Sequence, residues 1–248
     1  MSGKHSKKKT NKLIWGIILF ILIAILIYSS YQIILWIKSN AELKNLEESV
    51  FSEVVTEKTE ITENGEEKKV EIDFDQLKQI NSEVVGWITI ENTNINYPIT
   101  QAKDNDYYLK RDINKNYSSC GNIFLDCDTK ADFTEQNSVI YGHNLKSGGM
   151  FANLRKILDG DLGNEVYVKI YTPEKEFTYQ VIAAYVAEPT KEIIKKNFTE
   201  KEKEQYINNG IKKSKVKFKY DVKSNNNMIT LITCYGEQRT VVNALKIN

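Results

Sequence analysis

The sequence predicts a mainly β domain, a barrel or sandwich decorated by helices, behind a single N-terminal transmembrane helix. Three observations carry this expectation. Residues 13–37 contain no charged side chain. Beyond residue 83, about eight short runs rich in Val, Ile, Tyr, Phe and Thr alternate with polar turns. Helical periodicity is confined to a few short segments between those runs.

Lys4, Lys7, Lys8, Lys9 and Lys12 crowd the N-terminus, and Lys38 closes the apolar run. As a helix, the run would extend about 38 Å at 1.5 Å per residue. That exceeds the ~30 Å hydrocarbon core, so the run spans it with some tilt. Trp15 lies near one end, and Tyr28, Tyr31 and Trp36 toward the other, as interfacial anchors do. The competing reading is a cleaved signal peptide. Its apolar region runs only about 7–15 residues before a small-residue cleavage site, and Ser39-Asn40-Ala41 is a weak one. The lysine excess ahead of the span puts the N-terminus in the cytoplasm and the rest of the chain outside the cell membrane. The expected organisation is a basic cytoplasmic tail at 1–12, a transmembrane helix at 13–37, an extracellular linker at 38–72 and a folded domain at 73–248.

The linker is rich in glutamate, with helical character around Ala41 to Val55 and a turn at Glu63-Asn64-Gly65-Glu66. Asp73 or Asp75 can cap a short helix ending at Ile80. Val84 to Ile90 and Ile95 to Ile99 read as strands across a polar turn, and Asn122 to Asp126 and Ser138 to Tyr141 as two more. In Gly149 to Leu158, the apolar residues Met150, Phe151, Leu154, Ile157 and Leu158 have the spacing of an amphipathic helix. Glu165 to Tyr171 and Phe177 to Ala187 are long strands. Lys191 to Asn197 and Thr199 to Lys213 are helical, the second opened by Thr199, Glu200 and Glu202 as a capping box. Met228 to Cys234 and Arg239 to Ile247 close the chain as a hairpin.

A net charge of +1 leaves no nucleic-acid footprint. The chain has three cysteines, so at least one thiol is free if the domain is external. Cys120 and Cys127 flank an expected strand, and seven extended steps separate them by about 23 Å, well beyond the ~7 Å reach of a disulfide. Three free cysteines are expected, with Cys120 and Cys127 as packing residues. A zinc site built from Cys120, Cys127, Cys234 and His143 fits no standard ligand spacing.

Thr230-Leu231-Ile232-Thr233-Cys234 delivers a cysteine to the end of a strand, where a side chain is both held and reachable. Arg239 follows after four intervening residues, so a four-residue hairpin loop would make the two a cross-strand pair with Cβ atoms roughly 5 Å apart. A guanidinium there favours a thiolate and offers donors to an oxyanion. It is one of three arginines among 34 cationic residues, and its planar fork is what lysine lacks. His143 follows the strand ending at Tyr141 and is the only imidazole outside the N-terminal tail, where His5 lies. Thiol, imidazole and guanidinium together form a nucleophile, a general acid/base and an oxyanion clamp, the parts needed for acyl transfer through a thioester.

The segment Thr230 to Cys234 with its following Arg239 resembles the signature of sortases, membrane-anchored cysteine transpeptidases of Gram-positive bacteria. Val85-Gly86-Trp87-Ile88, Asp104-Asn105-Asp106-Tyr107-Tyr108-Leu109, Gly121-Asn122-Ile123-Phe124-Leu125-Asp126 and Tyr141-Gly142-His143-Asn144 leading to Met150-Phe151 resemble class B in particular, as does a helix at Thr199 to Lys213. The resemblance runs from about Phe74 to the C-terminus. It implies an eight-stranded barrel with Cys234 as nucleophile, His143 as acid/base and Arg239 as oxyanion or substrate-positioning residue. It also implies that Asn105 and Leu109 border the sorting-signal groove. Thr233 and Tyr235, on either side of the cysteine, complete the candidate substrate-binding set. Two departures stand out: the Cys-to-Arg loop is shorter than in most class B members, and Cys127 replaces a more usual aromatic.

The implied reaction cleaves the C-terminal sorting signal of a secreted protein after Thr, holds the protein as a thioester on Cys234 and transfers it to an amine of the peptidoglycan precursor. It needs no metal or organic cofactor. The expected partners are sorting-signal proteins, the precursor amine and the membrane, with no nucleic acid. A pilin-polymerising enzyme, a membrane-tethered cysteine protease and a tethered binding module with an inert cysteine are the alternatives.

Overall fold

The computed structural model describes residues 6–62, 65–221, 223–235 and 237–247. Lys4, His5 and the Glu63-Asn64 step of the expected turn lie outside the described residues. The chain forms two compact units, one through Ala41 and one from Glu42 onward. The first is most of helix α1 (Ser6–Leu46). Among the described residues, the helical run from Lys12 is long and apolar enough to cross a membrane, and none of its most apolar window is buried.

The second unit begins within α1. A π turn over Glu47–Phe51 and the short helix α2 (Ser52–Val54) continue it. Leu43, Leu46, Val50, Phe51 and Val54 are buried in the main core cluster, at a spacing that repeats along one helical face. Phe51 meets Trp87 and Tyr97 edge-on, with ring centroids at 5.3 and 5.9 Å. Strands β1 (Val55–Thr62) and β2 (Gly65–Ile72) then pair as an antiparallel ribbon. The stretch read as a solvated linker therefore has a packed start and a paired end.

The eight expected strands are all present: β3 (Val84–Ile90), β4 (Asn96–Thr100), β5 (Ile123–Leu125), β6 (Asn137–Tyr141), β7 (Tyr167–Tyr171), β8 (Glu176–Ala187), β9 (Met228–Tyr235) and β10 (Gln238–Lys246). They close into a barrel in the order β10-β8-β7-β3-β4-β5-β6-β9. Closure removes the sheet edges that a sandwich would leave. Most neighbours are antiparallel, but β4–β5 and β6–β9 are parallel.

Two of the four expected helices form at the bounds that their caps predict, and two are shorter. Asp73, rather than Asp75, caps α3 (Phe74–Ile80), its carboxylate accepting the Gln76 amide at 2.9 Å. The amphipathic segment at 149–158 begins as a 3-10 turn (Phe151–Asn153) and continues as α4 (Leu154–Asp159). Lys191–Ile194 forms only a 3-10 turn, shorter than the expected helix. Thr199 and Glu202 form both halves of the capping box of α5 (Glu200–Lys213). Among the described residues neither Cys120 nor Cys127 is in a disulfide; Cys120 is buried in the main core, whereas Cys127 is only half-buried.

Candidate active site

The parallel pairing of β6 with β9 sets the geometry of the site. Its ladder ends with Tyr141 opposite Ile232, and the Gly142 amide donates to the Ile232 carbonyl at 3.2 Å. Both strands run the same way, so positions 143 and 234 each lie two residues beyond that last pair, on neighbouring strand ends. On the other flank of β9, position 234 pairs with Arg239 of β10. The ladder goes one pair further, Tyr235 with Gln238, so the connection is shorter by two residues than the expected four-residue one. The side chains of Cys234 and Tyr235 lie outside the described residues.

A groove of about 270 Å³ opens over these strand ends, lined by Asn105, Leu109, Phe124, Tyr141, Gly142, His143, Ile232, Thr233 and Arg239. It brings together five of the seven site residues expected from sequence. Thr233 lies in the wall, but its hydroxyl is buried with no hydrogen-bond partner, so a groove occupant does not reach it in this conformation. Arg239 turns back on its own hairpin: Nη1 donates to the carbonyls of Gln238 at 2.9 Å and Glu237 at 3.4 Å. Both bonds use one nitrogen of a group that carries five N–H donors.

The His143 ring is fixed by its neighbours. Nε2 lies 2.7 Å from the Leu109 carbonyl. A carbonyl only accepts, so Nε2 carries the proton and Nδ1 is the nitrogen left to accept or release one. The His143 carbonyl in turn accepts the Phe151 amide at 2.9 Å, and Asn144 and Met150 form an isolated antiparallel bridge, which closes the loop that carries the imidazole. Two glycines make room. Gly121 has φ +59°, and a Cβ there would sit 2.8 Å from the His143 ring and 2.7 and 2.9 Å from the Tyr108 and Leu109 carbonyls. A Cβ on Gly142 would lie 2.8 Å from the Phe151 ring.

The Leu109 carbonyl is itself held. Tyr107–Leu109 is a 3-10 turn, and the buried Tyr108 hydroxyl donates to Glu83 at 2.6 Å while accepting from Asn81 at 2.8 Å. Burial and the adjacent Glu83 carboxylate push the Tyr108 phenol well above its usual range, so it stays a donor.

Sequence reasoning missed the carboxylate that ties together two groove-lining residues, Asn105 and Tyr141. The buried Asp126 carboxylate accepts from Asn105 Nδ2 at 3.0 Å, Tyr141 Oη at 3.1 Å, the Asp128 amide at 3.1 Å and Lys196 Nζ at 2.6 Å. Burial works to raise its pKa, but the Lys196 ammonium and the other donors outweigh it and hold the carboxyl below its usual range. Asp126, Cys127 and Asp128 are close enough to share a metal ion, but Lys196 already supplies the positive charge at Asp126. Asp126 closes a motif visible in the sequence; nothing in the sequence ties it to Lys196.

A closed eight-stranded barrel, with a cysteine and an arginine paired across its last hairpin and a histidine at the neighbouring strand end, defines a cysteine acyltransferase of the sortase type. The model of the sortase domain matches residues 88–247. Sortase B of Listeria monocytogenes is 37% identical over 179 residues, covering 71% of each chain. The X-ray structure of Clostridium perfringens sortase B superposes with a TM-score of 0.66 at 34% identity, covering 71% of this chain and 100% of that one. A Staphylococcus aureus sortase B–substrate complex gives 0.65 at 27%, covering 71% and 84%. The chain belongs to the sortase family, class B, and is a cysteine transpeptidase.

Proposed function

We propose that this transpeptidase cleaves the C-terminal sorting signal of secreted proteins after a threonine and joins the released chain to an amine of the peptidoglycan precursor. The Cys234 thiolate attacks the threonine carbonyl. The oxyanion is met by Arg239 donors, the C–N bond breaks, and His143 Nδ1 protonates the departing amine. The acceptor amine then attacks the thioester and gives its proton back to Nδ1, and the thiolate leaves. Covalent catalysis divides one difficult amide exchange into two easier steps. Asn105 and Leu109 border the bound signal, with Thr233 and Tyr235 flanking the nucleophile.

The observation that supports this most is the register: position 234 is paired with Arg239 and level with position 143 across β6–β9, at a groove that Asn105 and Leu109 also line. The bound substrate in the Staphylococcus aureus relative supports reading the groove as a peptide site. The apolar N-terminal helix and the lysines before it support a single-pass anchor with the tail at 1–12 in the cytoplasm, the span at 13–37 and the catalytic domain outside. Anchoring raises the effective concentration of both substrates where they emerge.

The test incubates the full chain in detergent with a small library of five-residue sorting peptides and locates the adduct by mass spectrometry. A thioester on Cys234 is expected, and excess amine should divert it into a new amide. An adduct on Cys120 or Cys127, or none with any peptide, overturns the reading. An adduct that only water resolves makes the enzyme a protease.

A further inference from the structure

Two residues that line the groove are tied, through Asp126, to a part of the chain that does not line it. After the 3-10 turn Lys191–Ile194, residues 195–199 run extended toward α5. The first residues of β6 and its approach hold this segment: Asn137 Nδ2 donates to the Lys195 carbonyl at 2.8 Å, and Gln136 Oε1 accepts the Phe198 amide at 2.7 Å. Between those two ties, Lys196 reaches Asp126 with 2.6 Å between Nζ and Oδ1; its side chain is 19% exposed and that of Asp126 only 4%. Nζ also approaches Asp128 at 3.5 Å.

Asp126 passes this constraint to the groove. Its Oδ2 accepts from both Asn105 Nδ2 and Tyr141 Oη, two residues that line the groove. The orientation of the Asn105 amide follows from its partners. Nδ2 must donate to the carboxylate, and Oδ1 accepts the Cys127 amide at 2.9 Å. The carboxamide's acceptor therefore faces the chain, and one N–H is left for an occupant.

We propose that Lys196 is a positioning residue for the sorting-signal groove: through Asp126 it holds Asn105 and Tyr141 so that Asn105 offers a donor to a carbonyl oxygen of the bound peptide. This rests on the peptide-binding reading of the groove given above. The segment between β8 and α5 thereby sets peptide affinity without touching the peptide. Lys196 is not a catalytic residue, because it meets neither the substrate nor the reacting atoms.

The experiment uses the full chain in detergent and the library peptide that acylates wild type fastest. Acylation kinetics are compared for wild type, Lys196→Met, Lys196→Arg, Asn105→Ala and the Lys196→Met/Asn105→Ala double variant. Alkylation of Cys234 by iodoacetamide, which needs no bound peptide, is followed in parallel. Lys196→Met should raise the peptide KM about tenfold, the size of one lost substrate hydrogen bond, with kcat and the alkylation rate within about twofold. Lys196→Arg should restore KM. In the double variant, the lysine substitution should add nothing to the effect of Asn105→Ala, because the two act through one path. A KM for Lys196→Met equal to wild type, additive effects in the double variant, or a parallel fall in alkylation rate and kcat overturns the proposal while leaving the functional reading intact. If wild type forms no Cys234 adduct with any peptide, both fall together.

Discussion

The two sides of the groove are held by different physics. On the β9–β10 side, positions 234 and 239 face each other because a backbone ladder runs through them from Met228↔Leu245 to Tyr235↔Gln238. On the other side, Asn105, Leu109 and His143 sit on loops and a 3-10 turn, placed by a few hydrogen bonds between groups distant in sequence: Asn105 to Asp126 and Cys127, the His143 ring to the Leu109 carbonyl, Tyr108 to Asn81 and Glu83. A ladder shares its constraint over many bonds and tolerates side-chain changes. A side-chain network fails when one member is lost, because each buried partner is then left unsatisfied.

The largest expected effects remove the chemistry and leave both sides standing. Cys234→Ala should abolish the peptide adduct. His143→Ala should slow acylation by about 10²–10⁴, the usual weight of a general acid/base. Arg239→Lys keeps the charge but loses the fork, and should cost about 10²–10³ in kcat with little change in melting temperature, since the ladder survives.

Phe51→Ala tests a region on neither side. It should cost about 3–5 kcal/mol of stability in urea titration, as a buried Phe truncation does, yet leave the peptide KM unaltered. A shift in KM would mean that the groove is not insulated from the packed start of the second unit. Gly121→Ala strikes the loop side alone. With positive φ and two carbonyls in the way, it should destabilise by about 1–3 kcal/mol and lower acylation more than Phe51→Ala does. Equal loss from both would erase the contrast between ladder and network.

A smaller effect depends on pH. The Asp126 carboxyl is held below its ordinary range, so between its native and unfolded pKa the unfolded chain binds more protons and stability rises with pH. That contribution is complete above the usual carboxylate value near 3.9 and is lost as pH falls through the depressed native value. The urea midpoints of wild type and Asp126→Asn should therefore differ at pH 7 and converge below about pH 4. The smallest change is Thr199→Ala, which removes the α5 cap and should cost about 1 kcal/mol.

The same contrast explains what could be read from the sequence. Pairing of Cys234 with Arg239 follows from alternation and a short loop, both local features, although the loop proved tighter by two residues. Thr199 and Glu202 announced their cap within four positions. The Asp126–Lys196 pair spans 70 residues, and no local pattern reports it. Leu43, Leu46, Val50, Phe51 and Val54 did carry a legible helical stripe, but the surrounding glutamates made the segment look like a spacer. The β1–β2 ribbon had no apolar alternation to reveal it, only the turn signal in the sequence Glu63-Asn64-Gly65-Glu66.

Barrel closure also has a temporal consequence. β9 joins β6 on one flank and β10 on the other, while β10 completes the circuit against β8. These two strands follow the other six barrel strands in chain order. The earlier six alone leave an open sheet with no groove around residue 234, so position 234 gains its neighbours only when β9 and β10 close the circuit. Folding of the barrel and assembly of the site are thereby one event.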